Sequence, residues 1–78
     1  MIKQAIFIGP LEGSRAELVW SRTKNGSHEV SCRVFNSYFG GMMPIRNIRT
    51  GDTQSASWEF EHILDVLQDQ GYQLQRSY

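Results

Sequence analysis

The spacing Glu59-x-x-His62 matches half of a helical metal-binding motif. On a helix, residues three apart project to one side, so a carboxylate and an imidazole could share an ion. Such sites draw their remaining ligands from several facing helices, and this chain offers a single helical segment. The spacing therefore predicts no metal centre. His28 stands beside a turn signal and is expected to be solvated. Cys32 lies in an apolar β-type run and reads as a small core residue rather than a nucleophile, with no base placed to activate it. Gly40-Gly41 lacks both the glycine spacing and the Lys-Ser/Thr pair of a phosphate loop. Asn25-Gly26-Ser27 fits a glycosylation acceptor, but no secretion signal precedes it, and it reads as a chance match. These residue types predict no catalytic residue, no metal and no cofactor, and hence a non-enzymatic protein.

Binding chemistry is better represented. The stretch SASWEFEHILDVLQDQG, residues 55–71, reads as a helix carrying acids and neither lysine nor arginine. Glu61, Asp65 and Asp69 recur at every fourth position. Like charges at that spacing destabilise a helix by a few tenths of a kcal/mol per pair. Asp69 also sits at the C-terminal end, where the helix dipole disfavours an acid. Trp58 projects near this stripe and His62 lies alongside. The functional reading is a docking surface for a basic partner protein, with Trp58 as an aromatic anchor inside a polar rim. The alternatives are a solvated outer face, or neutralisation from within by Arg46, Arg49 or Arg76; Trp58 could equally fold under the helix.

A second surface is read from the strands. Leu18, Trp20 and Phe35 fall among Arg22, Glu29 and Arg33 on one sheet face, with Tyr38, Phe39, Arg46 and Arg49 as extensions. Trp20 and Phe35 make this a second candidate for partner binding. Aromatics interleaved with bases can also stack nucleobases and hold phosphates. Nucleic-acid binding through Arg22, Arg33, Arg46 and Arg49 is thus the alternative function. An apolar face on so small a domain also needs cover, which makes a homodimer contact the preferred explanation of the two.

These surfaces need a scaffold. KQAIFI (3–8) is a short strand candidate with Ile6 and Ile8 on one face, stopped by Gly9-Pro10. AELVWSRTK (16–24) and HEVSCRVF (28–35) flank Asn25-Gly26, a strong hairpin signal. With those two as the turn residues, Lys24 faces Ser27, Arg22 faces Glu29, Trp20 faces Ser31 and Val19 faces Cys32. Val19, Val30, Cys32 and Val34 then form the core face. Residues 36–52 are expected to be a broken connection holding Met42 and Met43, with a short edge strand in IRNIR. Phe60, Ile63, Leu64 and Leu67 follow helical spacing, Ser55 or Ser57 is the expected cap, and Gly71 is placed to end the helix. YQLQRSY (72–78) alternates like a strand, with Tyr72, Leu74, Arg76 and Tyr78 on one side. The expected fold is α+β and two-layered: a mainly antiparallel sheet of 4–5 strands with one helix on one face, in the order β-β-β-(β)-α-β.

Composition bounds these readings. The 78 residues are expected to form one domain with a small core. Formal charge is zero, which disfavours a simple polyanion-binding arm. Yet residues 1–49 hold seven bases against three acids, and residues 50–75 hold five acids and no base. Such asymmetry can steer association. With one cysteine, no internal disulfide can form, and no apolar run approaches a signal peptide or a membrane span. A cytoplasmic protein is expected.

Overall fold

The computed structural model describes residues 1–36 and 40–78. Tyr38 and Phe39, read above as extensions of a sheet surface, lie outside the described residues. Strands β1 (Lys3–Ile8), β2 (Arg15–Arg22), β3 (His28–Asn36) and β4 (Gly41–Thr50) are followed by helix α1 (Thr53–Asp69) and strand β5 (Gln73–Ser77). They form an α+β two-layer sandwich. The five strands make one sheet in the order β4-β3-β2-β1-β5, and every neighbouring pair is antiparallel. No helix among the described residues is long and apolar enough to cross a membrane.

The helix solves a connection problem. β1 to β4 run as a meander, but β5 pairs with β1 at the opposite edge from β4. Five strands at about 4.8 Å spacing span roughly 19 Å. A helix of 17 residues is about 25 Å long, enough to carry the chain across the sheet. In crossing, α1 buries Ala56, Phe60, Ile63 and Leu67 against Ala5 and Phe7 of β1, Ala16, Leu18 and Trp20 of β2, and Val30 and Cys32 of β3.

The hairpin between β2 and β3 departs from the expected register by one residue. Trp20 pairs with Val30, Leu18 with Cys32 and Val19 with Ser31. The cause is the turn. The Thr23 N–H donates to the Ser27 carbonyl at 2.8 Å and the Gly26 N–H to the Thr23 carbonyl at 3.1 Å, while Gly26 adopts φ +82°. This is a three-residue loop, Lys24-Asn25-Gly26, in which the glycine supplies the left-handed residue of a bulge. Because side chains alternate with period two, one residue of register exchanges faces. The faces of β2 are the ones exchanged: Leu18 and Trp20 enter the core beneath the helix and Val19 turns to the uncovered face, where Phe35 of β3 stays as expected.

Residues 41–50 also differ from expectation. Met42 and Met43 belong to a ten-residue strand rather than a connection. A register shift opposite Cys32 and Arg33 leaves Ile45 as an extra residue, which erases the alternation a strand normally displays in sequence. A similar shift on β5 pairs Arg76 with Ile6 but Leu74 with Phe7, so Leu74 and Arg76 face opposite sides.

The helix starts earlier than expected. Asp52, rather than Ser55 or Ser57, is the N-cap: its carboxylate accepts from the Gln54 and Ser55 backbone N–H groups and from the Ser55 hydroxyl at 2.7 Å. The Ser55 hydroxyl bond, followed by the Gln54 N–H, holds the Asp52 carboxyl below its ordinary pKa. A pKa depressed on folding stabilises the fold above the unfolded value, and that stabilisation is lost as pH falls through the folded value. We therefore expect Asp52→Asn to weaken the acid dependence of the thermal midpoint below the ordinary carboxylate range. An unchanged acid limb in a melting series would contradict this. The C-terminus closes as anticipated: Gly71 has φ +94°, its N–H reaches the Gln68 carbonyl, and the Tyr72 N–H reaches the Leu67 carbonyl.

Candidate docking surface

At 100° per residue, the buried helix positions centre on Phe60, Ile63 and Leu67, so Trp58 points away from the sheet. Its side chain does not fold under the helix: Trp58 is 64% exposed. One turn on, His62 lies flat against the indole, with ring centroids 4.9 Å apart and an interplanar angle of 8°. Asp65 and Asp69 continue this outward crest. Both are exposed, and neither forms an ion pair among the described residues. Glu61 belongs to the flank facing β1, where Lys3 Nζ stands 3.8 Å from its carboxylate. The stripe thus divides into two unpaired aspartates and one screened glutamate.

The expected internal neutralisation takes a different form. Arg46 does reach the helix, but its Nε donates to Glu59 at 2.8 Å rather than to the stripe. The Glu59 side chain is only 8% exposed. Sequence reasoning missed this buried acid, and its only signal was a carboxylate at the boundary of the apolar face. Glu59 and His62 therefore have separate engagements, one with Arg46 and one with Trp58. Arg49 Nε donates to Glu29 at 2.9 Å, and Arg33 pairs with Glu17, both on the uncovered sheet face. Arg76 meets the Tyr78 hydroxyl, which raises its pKa above the ordinary value.

The proposed aromatic sheet surface is not assembled. Trp20 is 6% exposed and packs beneath α1, whereas Phe35 lies on the opposite face under the Arg15 guanidinium, 5.1 Å from the ring centroid. The register shift described above is the reason. His28 is likewise buried rather than solvated. Its Nδ1 accepts from Trp20 Nε1 at 3.1 Å, and its Nε2 lies 3.1 Å from the Thr53 hydroxyl. Cys32 is buried as expected, and burial pushes its thiol up to about 11. A thiol so raised is protonated at neutral pH and is a poor nucleophile.

A further feature has no counterpart in the sequence reading. Between α1 and β4 runs a groove of about 260 Å³ lined by Ile45, Arg46, His62, Ile63, Val66 and Leu67. Ile45 and Val66 form its exposed lips. His62 both lines the groove and stacks on Trp58, so groove and crest are one continuous surface.

Fold and surface together define a small α+β sandwich whose helix presents an aromatic and acidic outer face. Comparison with protein-family models, curated proteins and solved structures gives no match.

Proposed function

We propose that this chain is a non-enzymatic protein-binding module, a small regulator, inhibitor or adaptor, which captures a basic partner on the outer face of α1. The observation that carries this reading is the exposure of Trp58 on the same crest as Asp65 and Asp69, which form no ion pair among the described residues. A tryptophan offers more apolar area than any other side chain and concentrates binding energy when a partner covers it. Unpaired acids around it select a basic partner and speed encounter. Glu61, held near Lys3, contributes less. A cytoplasmic setting belongs to the same reading and is supported by the lone, buried, free thiol of Cys32.

The second reading, nucleic acid held by Arg22, Arg33, Arg46 and Arg49, gains no support from the geometry. Three of these arginines are engaged by carboxylates, and Trp20 offers no face for stacking. A homodimer through the uncovered sheet face would cover the exposed Ile8 and Met42 together with Ile6, Val19 and Phe35, which are already half-buried among the cross-strand ion pairs.

The test is capture of the native partner from host extract. We expect Asp65→Lys with Asp69→Lys to weaken capture at least tenfold, about 1.4 kcal/mol, with an unchanged melting curve. Removing two unfavourable acids from the helix should, if anything, raise stability slightly. Retained capture by that folded variant rules out the crest as the docking surface.

A further inference from the structure

We infer that the free edge of β4 and the groove beside it bind a basic segment of the partner in extended conformation, adding it to the sheet as a sixth strand. This rests on the docking role proposed for the crest and names the form the partner takes there.

The first support is the edge itself. β4 and β5 are the two outermost strands, and β4 is the one that borders the groove; antiparallel partners alternate between bonded and unbonded pairs. The Thr23 N–H to Ser27 carbonyl bond sets the phase of that alternation. Counting from it, His28, Val30 and Cys32 direct their backbone groups toward Thr50, Ile48 and Arg46. Asn47 and Arg49 therefore direct theirs outward, away from β3. Pro44 also holds an outward position, where its missing N–H removes a donor, so an added strand would pair with residues 45–50. Such edges are the usual site of peptide addition to a sheet, with backbone bonds giving affinity and side-chain pockets giving selectivity.

The second support is the groove. A strand laid along β4 would send every second side chain toward the helix side. There the gap between Ile45 and Val66, floored by Ile63 and Leu67, is open to an aliphatic side chain. Ile45 is 52% exposed and Val66 37% exposed, apolar area that such a residue would cover.

The third support is charge. Arg46 and Arg49 of β4 are already matched by Glu59 and Glu29. Asp69 lies about 60° from Val66 around the helix axis, and Asp65 about 100° from it, at 100° per residue. The unmatched charge beside the groove is therefore negative. A second copy of β4 would bring only arginines already matched by its own Glu59 and Glu29, leaving Asp65 and Asp69 unanswered. A basic partner segment fits better than self-association.

The test uses a synthetic heptapeptide alternating lysine with leucine or valine, free of cysteine and aromatics, titrated at low salt into the intact chain. A control peptide of the same sequence carries N-methyl groups on alternate residues, which block edge pairing but keep charge and side chains. We expect the first peptide to slow hydrogen exchange at the Asn47 and Arg49 amides at least tenfold. We expect the methylated peptide, and the first peptide on a Val66→Lys variant, to bind at least tenfold more weakly. Equal binding of the two peptides, absence of binding, or protection appearing on β5 instead of β4 overturns strand addition; none of these bears on capture by the crest. We also expect the Asp65→Lys/Asp69→Lys variant to bind the peptide at least tenfold more weakly; undiminished binding there, with Asn47 and Arg49 still protected, overturns the basic character assigned to the added strand.

Discussion

Replacing Trp20 with alanine is expected to destabilise the protein by about 3–5 kcal/mol, the usual range for a buried aromatic truncated in a core. The indole is 6% exposed and meets His28 edge-on at 5.8 Å and Phe60 at 6.3 Å between centroids. Truncation would remove those contacts and open a cavity beneath the first turns of α1. It would also leave His28 without the donor at Nδ1. With Nδ1 accepting, the neutral imidazole carries its proton on Nε2 and donates to the Thr53 hydroxyl, so Trp20, His28 and Thr53 form a relay from β2 through β3 to the helix start. A domain of 78 residues has a total stability of roughly 4–12 kcal/mol. The variant should therefore lose about a quarter or more of that total and unfold at a much lower urea concentration. Trp20→Phe separates the two contributions: it keeps most of the buried area and deletes the donor, at a cost of about 1–2 kcal/mol. Urea titrations of both variants measure these differences. A change below about 0.5 kcal/mol for Trp20→Ala would return the indole to the surface and restore the two-residue turn.

The second large effect concerns the ion pair that joins α1 to β4. Arg46→Ala should destabilise by about 2–3 kcal/mol, because it leaves the buried Glu59 carboxylate without its partner. The figure lies below the range for fully buried pairs, since the Arg46 side chain is 52% exposed and water can partly replace it. Converting both residues together, Arg46→Met with Glu59→Leu, should recover most of the loss, because apolar groups of similar volume need no desolvated charge to be matched. A double-mutant cycle in urea gives the coupling directly. Equal losses for the single and double variants would mean that packing, not charge, fastens this corner. Arg46 also lines the groove, so the double variant tests whether the groove survives without it.

The residues that carry the fold differ in how far they could be read in advance. Gly71 and the Phe60-Ile63-Leu64-Leu67 spacing placed the helix because helical periodicity and the left-handed C-terminal residue are local properties. Asn25-Gly26 located the hairpin for the same reason. It did not settle the register, since the pair suits a two-residue turn and equally a three-residue loop with Gly26 in the left-handed conformation. β4 was only partly legible. Its alternation is broken by the extra Ile45, and its pairing comes from β3, not from any preference of Met42 or Met43. Of the candidate site, the crest residues Trp58, Asp65 and Asp69 could be read from the helical wheel, whereas the groove formed by Ile45 and Val66 could not.

What the sequence determined by itself is the two-layer α+β design, with a helix shielding one side of an antiparallel sheet and its acidic side outermost, because each depends on periodicities of a few residues. What only the tertiary structure decided is which strand faces point inward, which acid is buried and where the sheet is left open. Those outcomes depend on contacts distant in sequence: Trp20 against Phe60, Arg46 against Glu59, and β5 pairing with β1, which leaves β4 and β5 as the two edges. A one-residue change in a turn costs little locally but reverses every side chain in a strand, so burial against the helix makes that choice.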